Sequence, residues 1–372
     1  MKQEEHVMRS GRNRIQAMVA VVLVVAAAVG IAVACAYGSA AKVRMARGGK
    51  AAAGPSPYYD SGTTTIPGNP LAGHRWFVDV KFGPLWEYVR MYQHSHPYWA
   101  HELTFLAREP VTKSFGAFDE TIGPDFRAYL ARVQQEEPGA IPMVSLSRIA
   151  HQSCPYVNPS AEYQPPAYEA WVKAFVNAIG DYPVMVLVEP DRIPTLSCLP
   201  PSAQQTRYAE LNYDLKLLSK HKNAIVYLDA GASDWVRSTT DLAHRLERAG
   251  IKYAHGFALN ASHFDTTAHN IAYGLKVSKL LGGKHFIINT DANGNGPTPP
   301  ALRAKYGGCQ PPNIGAGIRP TIQTGHKLID AFLWLDTPGY AAGSCIGVPN
   351  GGYTFYPQLA LKMVRNANPP FK

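Results

Sequence analysis

From residue 76 onward, short apolar runs alternate with longer stretches of helical periodicity. The runs are WFVDV (76–80), IPMVSLS (141–147), VMVLVE (184–189), AIVYLD (224–229), YAHGFAL (253–259), HFIINT (285–290) and FLWL (332–335). Between them lie AYEAWVKAFVNAIG (167–180), RYAELNYDLKLLSKH (207–221), TTDLAHRLERAG (239–250) and TTAHNIAYGLKVSKLL (266–281). A strand that is apolar without a break needs cover on both faces. Strand–helix alternation supplies that cover in one way, a parallel sheet under a layer of helices. About seven such units predict a distorted parallel β/α barrel rather than an open sheet.

The chain has 372 residues, 46% of them apolar and 17% charged, which suits a sizeable core. Its net charge of +9 invites a nucleic-acid reading, but residues 1–50 hold eight basic residues against two acidic ones. That leaves +3 for the remainder, with no Lys/Arg cluster to grip phosphates, so no nucleic-acid partner is expected. The basic flanks enclose AMVAVVLVVAAAVGIAVACAY, residues 17–37, which carries no charge and is long enough to cross a bilayer. It reads as an uncleaved signal anchor, with a cleaved signal peptide as the alternative. The four positive charges in 38–50 argue against the anchor's usual orientation. Residues 48–70 are rich in Gly, Pro, Ser and Thr and read as a linker. The expected organisation is a basic segment (1–16), an anchor or signal (17–37), a linker (38–67) and a catalytic domain (68–372), placed outside the cell as a membrane-anchored or secreted monomer.

Of five cysteines, Cys35 lies in the apolar segment, while Cys154, Cys198, Cys309 and Cys345 form an even set in the globular part. There is no CxxC, so neither a zinc nor a redox motif is present. Two local disulfides in an exported domain are the simple reading, and four buried thiols the alternative.

In parallel α/β folds the chemistry gathers at the carboxyl ends of the strands. Those ends read SRIAHQSC, EPDR, DAGASDW, LNASHFD, NTDANGNGP and DTPGYAAGSC. Asp191 follows a buried strand and a proline, a setting that raises a carboxyl pKa and suits a general acid, although an Asp there can also cap a helix. Asp229 ends the next strand, so the two carboxylates are expected to face one cavity, the arrangement of glycoside hydrolysis. Trp235 offers a face for a sugar ring, or packs in the core. Phe77 and Trp334 are counted as further aromatic contacts. His151, His263 and His285 are structural or line a polar cleft. No GxSxG, HExxH or GxGxxG follows a strand, so no metal and no cofactor is expected.

The blocks LVEPDRIPTLSC, VYLDAGASDWV, GFALNASHFDTT, HFIINTDANGNGP and DAFLWLDTPGYAAGSC, in this order, resemble glycoside hydrolase family 6, the inverting β-1,4-glucanases. The resemblance spans roughly residues 70–370. It implies a seven-stranded distorted barrel, the disulfides Cys154–Cys198 and Cys309–Cys345, Asp191 as general acid, Asp229 as its support, and substrate contacts from Trp235, Asn260 and Asn293; His263, as a cleft residue, is counted with them. Other family positions differ. The family Arg-Asp-Cys is Gln152-Ser153-Cys154, a tyrosine falls on Ser147, a histidine on Ala232 and a tryptophan on Gly308. In the last block the family Lys, Glu and base Asp fall on Asp336, Tyr340 and Ala342. A replacement base would be Asp336 or Asp265. Otherwise the scaffold serves as a non-catalytic glycan-binding or wall-associated protein.

Overall fold

The computed structural model describes residues 67–149, 165–307, 309–348 and 352–371. The apolar segment 17–37, His151, the Gln152-Ser153-Cys154 stretch and Gly308 lie outside the described residues. Among the described residues no helix is long and apolar enough to cross a membrane.

The strands are β1 (Lys113–Gly116), β2 (Met143–Ser147), β3 (Val184–Val188), β4 (Ala224–Asp229), β5 (Gly256–Leu259), β6 (His285–Asn289) and β7 (Ile329–Leu333). They form one parallel sheet in sequential order, each paired with its neighbour in the chain. Six of the seven expected apolar runs contribute. The first does not, because in WFVDV only Trp76 extends a two-residue pairing, Arg75–Trp76 against Ala140–Ile141. The edge strand is instead KSFG, whose single large apolar residue, Phe115, gives no periodicity to read.

Side chains on a strand alternate between faces, and here that parity divides the core in two. Val184, Val186 and Val188 of β3 join Val226, Leu228, Phe257, Phe286 and Ile288 in an outer layer under the helices. Met185 and Leu187 join Ile225, Tyr227, Ala258, Ile287, Ala331 and Leu333 in an inner layer enclosed by the sheet. The covering helices α3 (Ile122–Glu136), α4 (Pro165–Ile179), α5 (Pro201–Leu218), α6 (Thr239–Ala249) and α7 (Thr267–Leu280) follow β1 to β5 in turn. Helix α6 is capped as its sequence suggests, with Ser238 accepting from the Asp241 N–H and Gly250 closing it at φ 90°.

The two edges of the sheet meet through one main-chain hydrogen bond, Thr112 N–H to the Trp334 carbonyl at 3.2 Å, just before β1 and just after β7. A shell of α1 (Pro84–Ser95), α2 (Pro97–Ala107) and α8 (Pro357–Arg365) packs over that seam. Trp334 is its fully buried centre, and its indole N–H donates to the Ile318 carbonyl at 3.1 Å. Phe77 is also buried, edge-on to Tyr129 at 6.3 Å. Both had been expected to touch substrate. Both are core residues, because the apolar runs that carry them turn inward rather than onto a rim.

Trp334→Ala should therefore cost about 3–5 kcal/mol of stability. A urea titration should show a lower midpoint with an unchanged slope.

Candidate active site

The inward parity of the strands continues past their ends. Met185 and Leu187 are followed by Glu189, and Ile225 and Tyr227 by Asp229, both at 0% exposure. The sequence thus delivers two carboxyl groups to the top of the inner layer, where a bare charge costs several kcal/mol unless hydrogen-bonded. One oxygen of each is satisfied by backbone, while Glu189 Oε2 and Asp229 Oδ1 accept no hydrogen bond. Glu189 Oε1 accepts the N–H groups of Arg148 (2.8 Å) and Ile149 (2.9 Å), fixing the exit of β2, while Oε2 lies 3.6 Å from Arg192 Nε. Burial pushes the Glu189 pKa up, and Arg192 and the two N–H groups draw it back. This is a structural carboxylate.

Asp229 Oδ2 accepts the N–H of Asp191 at 2.8 Å. The contact matters because Asp191 sits at φ 70° and Glu189 at φ 50°, on either side of Pro190. A non-glycine residue in the left-handed region costs on the order of 1–3 kcal/mol and persists where its surroundings hold it. Here the Thr195 hydroxyl and N–H also donate to the Asp191 carbonyl, at 2.6 and 3.3 Å. Burial first, and then the charge of Asp191, push Asp229 up to about 7, against the N–H groups of Asp191 and Gly231.

The third left-handed residue, Asn260 at φ 69°, ends β5. Its N–H donates to Gly231 at 2.6 Å, and the turn it makes carries Ser262 across the site, where the hydroxyl donates to Asp191 Oδ1 at 2.5 Å. Ser262, His263 and Phe264 then line two cavities, of about 190 and 270 Å³. The smaller is walled by Asp291, Asp336, Tyr340, Ala342 and Tyr353 among others. Asp336 accepts from the Tyr353 hydroxyl and from the Thr337 N–H (2.7 Å). Burial raises its pKa, those two donors oppose the rise, and the charge of Asp191 adds to it. Asp291 is raised well above the carboxylate range by burial and by the charge of Asp336.

Of the two candidate replacement bases, the structure separates Asp336 from Asp265. Asp265 is 4% exposed and lines neither cavity. Its oxygens accept from the Ser233 hydroxyl, the Thr266 N–H (2.8 Å) and His269 Nδ1 (2.9 Å). Asn260 and Asn293, expected to bind substrate, are buried as well, and the side-chain amide of each donates to the Asp265 carbonyl, at 3.2 and 3.0 Å. These two amides shape the loop. Trp235 is half-buried with His263 stacked on it at 4.5 Å, so one face of the ring is already covered. His263 itself lines both cavities and pairs with Asp234 at 2.9 Å. His285 belongs to the other end of the barrel, bonded to Asp330 at 2.7 Å. Cys309 and Cys345 are joined, with Cα atoms 5.2 Å apart, and line one cavity each. Cys198 is disulfide-bonded. Sequence reasoning missed Ser262, Asp291 and Tyr353. Asp291 was open to view two residues past a strand, whereas nothing near Tyr353 signals its fold partner.

Comparison with known proteins gives a family model, "Glycosyl hydrolases family 6", that matches residues 74–367. Endoglucanase A of Cellulomonas fimi is 38% identical over 200 residues, 54% of this chain and 42% of its own length. Endoglucanase 1 of Streptomyces halstedii is 32% identical over 267 residues, 70% of this chain and 79% of its own. The endoglucanase Cel6 from Mycobacterium tuberculosis, solved with methyl-cellobiosyl-4-deoxy-4-thio-β-D-cellobioside, superposes with a TM-score of 0.71 at 31% identity, covering 80% of this chain and 99% of that one.

Because the Asp229 pKa is raised on folding, the folded state holds a proton between about pH 4 and 7 that the unfolded chain has lost. This group's contribution to stability therefore falls as pH rises through that window and levels off above it. Asp229→Asn should remove that slope, so that the variant gains on the parent protein from pH 4 to pH 7 in urea midpoints.

Proposed function

The chain belongs to glycosyl hydrolases family 6, and on that footing we propose that it hydrolyses a β-1,4-linked glucan or related glycan with inversion at the anomeric carbon. The observation that carries this reading is the hold on Asp191. Its N–H is bonded to buried Asp229, and its carboxylate to Ser262 at the junction of two cavities. Such a group gives its carboxyl proton to the leaving glycosidic oxygen. Asp229 fixes the strained turn that presents it. Asp336, across Ser262 in the smaller cavity, takes the proton of the attacking water, with the Tyr353 hydroxyl steadying its negative charge. Two carboxylates on opposite sides of a scissile bond, with room for water, is what inversion requires. Ala342 and Tyr340 line the same cavity, so losing the usual base there leaves space next to Asp336. The Cys309–Cys345 disulfide supports an extracellular setting, with the protein a monomer that is secreted or anchored through residues 17–37.

The second reading, a glycan-binding protein without turnover, is favoured by one observation, Ala342 at the family base position. Both are tested by incubating the full chain with a panel of β-glucans and scoring new reducing ends. Asp191→Asn and Asp336→Asn should each lower the rate by about 10²–10⁴-fold, and the first-formed product should be the α-anomer by NMR. Saturable binding without reducing ends selects the second reading. An Asp191→Asn protein of undiminished activity removes the assignment of the acid.

A further inference from the structure

The two cavities that meet at Ser262 are opposite in charge. The smaller one presents Asp291 and Asp336 and has no Lys or Arg in its lining. The larger one, of about 270 Å³, presents Arg237 and Arg303 beside Pro297, Thr298, Gly307 and Cys309. Its one carboxylate, Asp234, is bonded to His263 at 2.9 Å. Burial acts to raise the Asp234 pKa, but His263 and Arg303 outweigh it and hold the group below its usual range. That leaves Asp234 a persistent anion, already committed to the imidazole. Among the described residues, neither Arg237 nor Arg303 has an ion-pair partner within 4 Å. Arg237 and Arg303 are both exposed in the lining of one concave space that holds a single carboxylate, so positive charge is in excess there.

A neutral glucan can accept hydrogen bonds from guanidinium groups but does not balance their charge. Guanidinium groups are matched to planar or tetrahedral oxyanions, which they bind through paired N–H donors. We propose that the cavity of Arg237 and Arg303 takes a sugar unit bearing an anionic substituent, a uronate carboxylate or a sulfate ester, while the acidic cavity takes an unsubstituted unit. The inference rests on the reading of this cleft as a glycan site and refines its substrate class. A polymer charged on every unit is disfavoured, because the negative charge held at Asp336 repels an anion on the far side of Ser262. The chain fitted to this cleft carries its charge on one side of Ser262.

The test uses binding, so that it does not depend on turnover. Full-chain Asp191→Asn protein is titrated calorimetrically with a cello-oligosaccharide, its 6-carboxyl derivative and its 6-sulfated derivative. The same titrations follow with Arg237→Gln and Arg303→Gln added. One of the anionic oligomers should bind about tenfold more tightly than the neutral one, which names the substituent. The preference should fall to near unity in the Arg-substituted protein and shrink between 0.05 and about 0.5 M salt, as screening requires. Arg303→Gln alone serves if the double substitution fails to fold. Equal affinity for all three oligomers, or a preference that survives the loss of both arginines, overturns the inference. Arg-dependent binding with no reducing ends in the parent protein leaves this inference standing and removes hydrolysis. Cleavage of neutral oligomers without charge preference does the reverse.

Discussion

The hydrogen bond from the Asp191 N–H to buried Asp229 is the contact on which the geometry of the site depends. It joins the ends of two neighbouring strands, β3 and β4, whose pairing runs from Val184–Ala224 to Val188–Leu228. Past that ladder the Glu189 N–H still donates to the Leu146 carbonyl at 2.8 Å, but the chain then turns through two left-handed residues separated by a proline, and no strand partner remains for the Asp191 N–H. A buried N–H left without an acceptor costs about 1–3 kcal/mol. A carboxylate is the strong acceptor for it, and parity puts one at the end of β4. Glu189 does the same one strand earlier, with two N–H groups from the exit of β2. The rim is thus tied together by inward-facing carboxyl groups gripping the backbone that leaves the preceding strand. Asp191 alone of these three acids turns its carboxylate outward, to Ser262. The strain in the turn is the local condition for that reversal of direction.

The seam between β1 and β7 gives this rim its asymmetry. Six strand pairs are laddered, whereas the edges share a single main-chain hydrogen bond and are covered by the shell around Trp334. Asp336 leaves the sheet two residues after Trp334, at that less constrained edge. The hairpin Tyr340–Ala342 with Tyr353–Phe355 then folds back, and its Tyr353 reaches the Asp336 carboxylate. Residues on this side are set by loop contacts and a disulfide, not by strand register.

The same distinction decides what was legible in the sequence. Strands β2 to β7 announce themselves as apolar runs because both their faces are buried, and Asp191 and Asp229 follow from where those runs stop. The edge strand β1 was invisible because an edge needs little apolar surface, and KSFG has one large apolar residue. Phe77 and Trp334 misled because an aromatic in a strand reads alike whether it packs inward or faces a ligand. Only tertiary cover, absent from any local pattern, tells the two apart. Asn260, Asn293 and Asp265 were recognisable as loop residues, but the Asn293 amide reaches the Asp265 carbonyl across 28 positions, which no local pattern shows. Asp265 is held by three donors, one of which, Ser233, lies 32 positions away.

The changes in the last block are coupled by charge. The family pattern of Lys, Glu and Asp sums to one negative charge, and Asp336, Tyr340 and Ala342 sum to the same. The loop has therefore kept its net charge while moving it from the hairpin to the end of β7. The order of such changes is constrained. A carboxylate at 342 with another at 336 and no lysine would put two like charges on one small, poorly solvated cavity, where each raises the cost of the other. Asp291 already stands in that cavity, and its raised pKa marks it as the member that keeps its proton. Asp336 has two donors, the Tyr353 hydroxyl and the Thr337 N–H, and so is the position at which a single negative charge is best held. On the proposed reading, the absence of a carboxylate at position 342 does not empty the site of basic function. It follows from placing one carboxylate, with its own hydrogen-bond support, at the other wall of the same space.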